Sequence, residues 1–300
     1  MKLRIGDNAV PFPIFTIKGR LRLSGLSDID VSRVINDSIT QQIETETDFL
    51  NQIRESLDSY QPSISNNFDI LSRYESLRGN NVKLPALVIV LEGASATGKS
   101  LIALELMHDL AATRFISTDS IRQVLRGILS EDRYPELFCH TYQAYIHRQS
   151  GHPDLEPVVR GFIAQCEIIE PHIETMTERI VSEGAIAVLE GVHLQPGTIK
   201  NLGSGVIEVL INPDYETHRA MFASKHTVGK LRTVTDDMTV REKEFEAAYS
   251  IQKYMLSKAE KEHVPIIPLT SYEEARLKIS TLIIAVVQEI LNSFDKEAVK

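Results

Sequence analysis

The most constraining feature of the sequence is a continuous apolar run, Leu84–Leu91, that leads directly into a loop bounded by two glycines, Gly93–Gly98. A short aliphatic run without polar alternation is typical of a strand buried on both faces of a parallel sheet. A helical pattern, Leu101–Leu110, follows the loop. Because parallel strands need long, usually helical crossovers, this strand, loop and helix predict an α/β fold.

Four further short apolar runs lie later in the chain, at Arg114–Ser117, Ala185–Leu189, Val206–Ile211 and Val264–Pro268. Each is followed by a polar turn and a helical pattern, which predicts a five-stranded parallel sheet flanked by helices on both faces. The earlier part of the chain has apolar residues at helical spacing, in Asp28–Glu46, Phe49–Leu57 and Phe68–Leu77. We therefore expect a small, mainly helical domain over residues 1–82 and an α/β domain over residues 83–300.

The overall charge excludes some kinds of partner. Lysine and arginine number 32 and the acidic residues 41, for a net charge of −9. Such a chain is poorly suited to nucleic acid or membrane surfaces, because each phosphate contact would be made against its own repulsive field. Cys139 and Cys166 have no zinc-motif spacing and are expected to be reduced thiols. With no signal-like N-terminus and no apolar window near ~20 residues, we expect a cytoplasmic protein whose oligomeric state stays open.

The loop after the first strand has the pattern GxxxxGKS over Gly93–Ser100. Between a strand and a helix, its successive N–H groups and the helix N-terminus face an anionic phosphate chain. Lys99 would reach the outer phosphates, and the hydroxyl of Ser100 would ligate Mg²⁺. A structural glycine-rich turn is the alternative. The residues predicted to bind a nucleoside triphosphate are Gly93, Ala94, Ser95, Ala96, Thr97, Gly98, Lys99, Ser100 and Leu101.

Carboxylates follow two of the predicted strands, at the sheet edge where ligands gather in α/β folds. Asp119 is predicted to orient an acceptor hydroxyl and accept its proton during phosphoryl transfer. Asp119 and Ser120 also stand where a helix cap is expected, and both roles can hold together. Glu190 is predicted to hold the Mg²⁺ shell, with Gly191 giving its loop close access to the phosphates. A buried structural glutamate is the alternative.

The positive charge needed to bind an anionic acceptor is concentrated in two parts of the sequence. Arg122 and Arg126, four residues apart on one helix face, are predicted acceptor ligands, or else surface charges. His193 is predicted either to bind the acceptor or to orient Glu190. A basic segment without acids lies between Glu216 and Asp236, and it contains His218, Arg219, Lys225, His226, Lys230 and Arg232. It is predicted to form a lid in which Arg219 and Lys225 act catalytically, or else a solvated helix face.

These motifs together resemble the archaeal 2-phosphoglycerate kinase family over roughly residues 83–290, most specifically in Glu190–Gly197, Glu-Gly-Val-His-Leu-Gln-Pro-Gly. The resemblance implies a P-loop kinase that uses ATP and Mg²⁺ and phosphorylates the hydroxyl of 2-phosphoglycerate, a small phosphorylated acceptor, to give 2,3-bisphosphoglycerate. The positions that match the family's site residues are Lys99, Ser100, Asp119, Arg122, Arg126, Glu190 and His193.

The chain also departs from the family. Met221, Lys225 and Tyr249 stand where the family has arginines. Because an arginine that clamps a phosphate or carboxylate is not replaced by Met or Tyr, another small anionic alcohol is an alternative acceptor. A nucleotide-responsive regulatory protein without enzymatic activity is a further alternative. The segment from Pro11–Phe12 to Gly25–Leu26 resembles a diverged ATP-cone, and a plain helical packing domain is the alternative to nucleotide binding there.

Overall fold

The computed structural model describes residues 2–5, 8–39, 43–80, 82–229 and 237–298. The chain divides into two compact units, one of residues 1–84, 105–112 and 276–300, the other of residues 85–104 and 113–275. The sequence assigned 105–112 and 276–300 to the α/β domain, whereas here they group with the N-terminal segment. Polar contacts show the reason: Arg22 Nε donates to Asp109 Oδ1 over 2.7 Å, and Arg276 Nη1 donates to the Arg22 carbonyl over 2.9 Å.

The unit that contains the N-terminal segment is mainly helical, as predicted. An antiparallel hairpin opens it, formed by β1 (Lys2–Ile5) and β2 (Asn8–Pro11). Four helices follow: α1 (Ile14–Leu23), α2 (Asp28–Ile39), α3 (Glu46–Leu57) and α4 (Pro62–Gly79). Thr45 and Asp48 form a capping box that begins α3. The strands β1 and β2 and the helix α1 were not predicted from the sequence.

The second unit contains a five-stranded sheet in which every neighbouring pair is parallel. Its strands lie in the order β4–β5–β3–β6–β7. They are β3 (Leu87–Glu92), β4 (Arg114–Ser117), β5 (Ile186–Gly191), β6 (Val206–Asn212) and β7 (Ile266–Pro268). All five strands were predicted, so the α/β fold class with a five-stranded parallel sheet is confirmed.

The remaining helices are α5 (Lys99–Asp109), α6 (Thr118–Ile128), α7 (Pro157–Glu183), α8 (Tyr215–Gly229), α9 (Met238–Glu262) and α10 (Tyr272–Ala298). Two short 3₁₀ helices, Pro135–Phe138 and Thr141–Ile146, connect α6 to α7. Pro171 lies inside α7, although a proline removes one backbone hydrogen bond from a helix interior. Ile169 and Ile173 on either side of it are buried in the core, and that packing keeps the helix continuous.

The register of β3 and β5 sends two similar glutamates to opposite faces of the sheet. Both strands end in Leu-Glu-Gly, but they are offset by one residue, because Leu91 pairs with Glu190 and Glu92 pairs with Gly191. Side chains alternate along a strand, so a one-residue offset exchanges the faces. Glu190 faces the side of α5, and Glu92 is fully buried on the other side.

Among the described residues, one helix is long and apolar enough to cross a membrane by length and composition alone, the segment Tyr272–Glu297 of α10. Fully buried side chains recur every four residues along it, at Ala275, Ile279, Ile283 and Val287. Such a stripe is what a helix on the surface of a folded core presents.

Cys139 and Cys166 are free thiols, and burial raises the pKa of Cys166 well above its ordinary value.

Candidate active site

The loop Gly93–Gly98 between β3 and α5 is tightly wound. Gly98 has a φ of +85°, and Ala96, although not a glycine, has a φ of +66°. The Thr97 hydroxyl and the Lys99 ammonium both donate to the carbonyl of Ala94, each over 3.1 Å. The positive φ of Gly98 favours glycine, and a Cβ there would also lie 2.7 Å from Leu269 Cδ2. The backbone thus has the compact form of a phosphate-binding loop, and its lysine lies over the loop.

Two side chains from outside the loop hold its backbone. Gln252 on α9 accepts a hydrogen bond from Ala94 N–H over 2.8 Å, and its amide donates to the Ile211 carbonyl and to Asn212 Oδ1. His218 on α8 donates from Nε2 to the Ser95 carbonyl over 2.8 Å. Sequence reasoning missed both contacts, because a lone glutamine or histidine within a helical pattern does not show what it faces.

The predicted lid cations are placed differently from one another. His218 is fully buried, and burial lowers the pKa of its imidazole, so the neutral ring holds the loop. Arg219 is half-exposed and donates to Glu242 Oε1 over 2.9 Å. The side chain of Lys225 and all of Lys230 and Arg232 lie outside the described part of the chain. The structure therefore gives Arg219 an acidic partner on α9, which the sequence pattern did not indicate.

Ser100 and Glu190, both predicted to hold Mg²⁺, lie together beside the loop. The Ser100 hydroxyl donates to Glu190 Oε2 over 2.9 Å, and the glutamate is buried. A hydroxyl and a carboxylate supply the oxygen ligands that Mg²⁺ prefers, with water and phosphate oxygens completing its shell. Within the described ranges, no group of three or more His, Cys, Asp or Glu side chains could hold a metal. The donor set therefore fits a Mg²⁺ bound with a nucleotide.

Asp119 lies in the first turn of α6, directly after β4. Helix α6 begins at Thr118, and its N-cap Ser117 makes no side-chain capping bond, so the capping role considered for Asp119 and Ser120 is wrong. The Asp119 side chain is 66% exposed, and Arg122 Nη2 lies 3.1 Å from its Oδ1. The Asp119 carboxylate is therefore accessible to an acceptor molecule, and the guanidinium of Arg122 lies beside it.

Arg122 and Arg126, the predicted acceptor ligands, both reach the loop between α6 and α7. Arg122 Nη1 donates to the Cys139 carbonyl over 3.0 Å, and Arg126 Nη2 donates to the Phe138 carbonyl over 3.4 Å. Arg126 also lies over the Phe138 ring, 5.0 Å from its centroid. Both guanidinium groups thus lie on the same side of α6, and their partners there include neutral carbonyls.

His193 is fully buried and is surrounded by hydrogen-bonding side chains. Its Nδ1 lies 3.0 Å from Thr118 Oγ1, and its Nε2 lies 2.8 Å from Gln165 Oε1. Burial lowers the pKa of this imidazole to about 3. A molecule bound at the sheet edge has no exposed surface of His193 to contact, and none of its hydrogen bonds runs to Glu190. Neither role considered for His193 matches this placement.

Two of the positions where the family has arginines, Met221 and Tyr249, have described side chains and different surroundings. Met221 Cε would lie 3.2 Å from a Cβ on Gly98, and the hydroxyl of Tyr272 lies equally near. The ring of Tyr249 packs edge-on against that of Tyr215, with centroids 4.9 Å apart. Tyr249 therefore belongs to an aromatic cluster, and Met221 lies against Gly98 of the loop.

Comparison with known proteins adds to this geometry. No family model matches the chain. It is similar to the 2-phosphoglycerate kinase of Methanopyrus kandleri, 32% identical over 202 residues that make up 66% of this chain and 61% of that protein. The enzyme of that name from Pyrococcus horikoshii is 33% identical over 67% of this chain and 65% of the relative. The one from Pyrococcus furiosus is 28% identical over 73% and 70%.

The alignments thus span somewhat under two thirds of the length of the first two relatives. A solved structure, TT1252 from Thermus thermophilus, covers 67% of this chain at 16% identity with a TM-score of only 0.34, too low to support an argument. The relatives bear the name that the motifs indicated. The resemblance of this chain to the archaeal 2-phosphoglycerate kinases is thereby confirmed.

Proposed function

We propose that this protein is a cytoplasmic kinase that uses ATP and Mg²⁺ to phosphorylate the hydroxyl of 2-phosphoglycerate, giving 2,3-bisphosphoglycerate. The observation that carries the proposal is the order of three neighbouring strands. β3 leads into the phosphate-binding loop, β5 carries Glu190 near its end beside Ser100, and β4 leads to Asp119. Ser117 of β4 pairs with Glu190 of β5, and Asp119 follows Ser117 by two residues. The predicted acceptor carboxylate and the predicted Mg²⁺ carboxylate therefore lie at the same edge of the sheet.

Each group has a role that its environment supports. The loop amides and the start of α5 bind the phosphate chain, and Lys99 turns from the Ala94 carbonyl towards it. Ser100 and Glu190 would hold Mg²⁺, which neutralises charge on the phosphates when bound. Asp119 orients the acceptor hydroxyl and takes its proton. The acceptor oxygen forms a bond to the γ-phosphorus, the bond to the β,γ-bridging oxygen breaks, and ADP leaves.

The acceptor is expected to be a small anion. Arg122 and Arg126 lie on the side of α6 next to Asp119, and the carbonyls of Cys139 and Phe138 are among their partners. A phosphate or carboxylate is a stronger partner for a guanidinium than a neutral carbonyl, so an acceptor with both groups can displace these contacts. We propose a small phosphorylated molecule as partner, and neither nucleic acid nor a membrane.

The test is transfer of labelled γ-phosphoryl from ATP to 2-phosphoglycerate in the presence of Mg²⁺. We expect Asp119→Asn to lower kcat about 10²- to 10⁴-fold and to leave ADP affinity unchanged. Asp132→Asn, a change at an exposed aspartate in the loop after α6, is the matched control and should behave like the wild type. Absence of transfer above ATP hydrolysis, with nucleotide binding confirmed, would exclude this reaction.

A different small alcohol as acceptor is the second candidate. Tyr249 and Met221 are the observation that favours it, because apolar contacts occupy positions where the family has arginines. A panel of phosphorylated and unphosphorylated alcohols in the same assay separates the two acceptors. A regulatory protein without kinase activity would transfer phosphoryl to none of them, and Asp119→Asn would leave its nucleotide response intact.

A further inference from the structure

We infer that His193 is a positioning residue, a buried imidazole that holds the Asp119 carboxylate at the sheet edge through the hydroxyl of Thr118. The inference rests on the proposed function, in which Asp119 meets the acceptor hydroxyl. It assigns His193 neither of the roles that the sequence suggested.

The start of α6 depends on contacts with other elements. Its N-cap Ser117 makes no side-chain capping bond, so the helix lacks the usual local support for its first turn. Thr118, the first residue of the helix, is buried and packs on the end of β5. A Cβ on Gly191 would overlap the Thr118 side chain, so the strand end and the helix start are in direct contact. This close approach leaves little freedom for the residue that follows, Asp119.

The direction of each hydrogen bond around His193 follows from its neighbours. The Gln165 amide donates to the Glu136 carbonyl, so the Gln165 side-chain oxygen is turned towards the ring as an acceptor. His193 therefore carries its proton on Nε2, within reach of Gln165 and, at 3.4 Å, of Thr141 Oγ1. Its bare Nδ1 then accepts from the Thr118 hydroxyl over 3.0 Å.

The ring stays neutral over the working pH range, since burial lowers the pKa of His193 to about 3, and its hydrogen-bond partners select the tautomer. His193 thus joins three elements by hydrogen bonds: the start of α6 at Thr118, the short 3₁₀ helix at Thr141, and α7 at Gln165. Of the three, Thr118 alone is the sequence neighbour of the acceptor-side carboxylate. A small displacement of α6 would move the Asp119 oxygens relative to the acceptor, and misplacement by about 1 Å can cost 10²-fold in rate.

The variant that tests this is Thr118→Val, which removes the hydroxyl but keeps the shape of the side chain. We expect kcat to fall about 10- to 100-fold with ADP affinity unchanged. Thr118→Ser, which keeps the hydroxyl, should recover most of that loss. Thr177→Val is the matched control, because Thr177 is equally buried and its hydroxyl bonds only within α7, to the Ile173 carbonyl.

A double-mutant comparison separates positioning from general loss of structure. In the Asp119→Asn background, Thr118→Val should change kcat by no more than about twofold, because the group that it positions is already gone. An equal loss in both backgrounds would overturn the inference, and so would a loss that Thr177→Val reproduces.

Two measurements do not depend on the acceptor. Nitrogen NMR of His193 should show a proton on Nε2 and a bare Nδ1 whose resonance shifts in Thr118→Val. Hydrogen exchange of the Arg122–Leu125 amides, the first in α6 that have helical acceptors, should speed up in that variant and stay unchanged in Thr177→Val. If the wild type phosphorylates no acceptor, the proposed function fails and these measurements still decide the positioning role. Unchanged exchange or a proton on Nδ1 would overturn it.

Discussion

Replacement of Gln252 by leucine tests how far the phosphate-binding loop depends on α9. The glutamine is fully buried and bonds three groups: it accepts from Ala94 N–H over 2.8 Å, and it donates to the Ile211 carbonyl over 3.1 Å and to Asn212 Oδ1 over 2.9 Å. Leucine has a similar volume but no polar atoms, so packing is largely kept and all three partners lose their hydrogen bond.

The magnitude follows from what is left unpaired. A buried donor or acceptor without a partner costs about 1–3 kcal/mol. The Ala94 N–H and the Ile211 carbonyl are buried, so each loses its hydrogen bond without replacement by water. The Asn212 side chain is only half-buried and can form a hydrogen bond with water instead. We therefore expect Gln252→Leu to destabilise the protein by about 3 kcal/mol. Since Ala94 lies in the loop itself, ADP affinity should also fall about tenfold, the equivalent of about 1.4 kcal/mol.

Urea unfolding measures the stability, and isothermal titration with ADP measures the affinity. The matched control is Gln288→Leu on α10, where the glutamine makes one exposed hydrogen bond to Asn292 and the change should stay within about 0.5 kcal/mol. If Gln252→Leu matched this control in stability, the loop would not depend on α9. Loss of stability with unchanged ADP affinity would show that Gln252 supports β6 but not the loop.

Three further changes test other parts of the molecule. Burial raises the pKa of Glu92 well above its ordinary 4.5, so wild-type stability should fall as pH rises above about 4.5 until the folded-state pKa is passed. The melting-temperature advantage of Glu92→Gln should therefore grow from pH 5 to pH 8, and a constant difference would contradict this. Arg22→Met should lower the free energy of unfolding by about 3–5 kcal/mol, because it leaves the buried Asp109 carboxylate without its guanidinium partner. Arg33→Met, which removes an exposed ion pair, should lower it by less than about 1 kcal/mol. Urea unfolding measures both variants, and equal losses would contradict the reasoning. Ser100→Ala should remove most of the gain in ADP affinity that Mg²⁺ provides, as measured by titration with and without Mg²⁺, and an unchanged gain would exclude Ser100 as a ligand.

The sheet was predictable because its signals are local. The apolar runs Leu84–Leu91 and Val206–Ile211 coincide closely with β3 and β6, and the loop pattern lies between β3 and α5 as its motif requires. Apolar periodicity also located most of α2, α3 and α4. The hairpin β1–β2 was missed because each strand is only four residues long, too short for an alternation to stand out.

The site was predictable where its residues belong to a motif or a strand end. Lys99 and Ser100 belong to the loop motif, Glu190 lies near the end of β5 and Asp119 follows β4, and parallel strands bring such ends to one edge of a sheet. The partners of the remaining residues come from distant parts of the chain. Arg219 pairs with Glu242, which lies 23 residues away on another helix, and no local pattern indicates such a pair.

The sequence alone determined that a buried strand leads into a phosphate-binding loop. From this follows an α/β fold with a site at one sheet edge. Both signals are local, because hydrophobic periodicity and motif spacing each involve only a few neighbouring residues. The tertiary structure decided which of two identical Leu-Glu-Gly strand ends faces Ser100. It also decided that His193 is buried against Thr118. Both outcomes depend on strand register and on contacts between residues tens of positions apart, where a shift of one residue turns each side chain to the opposite face.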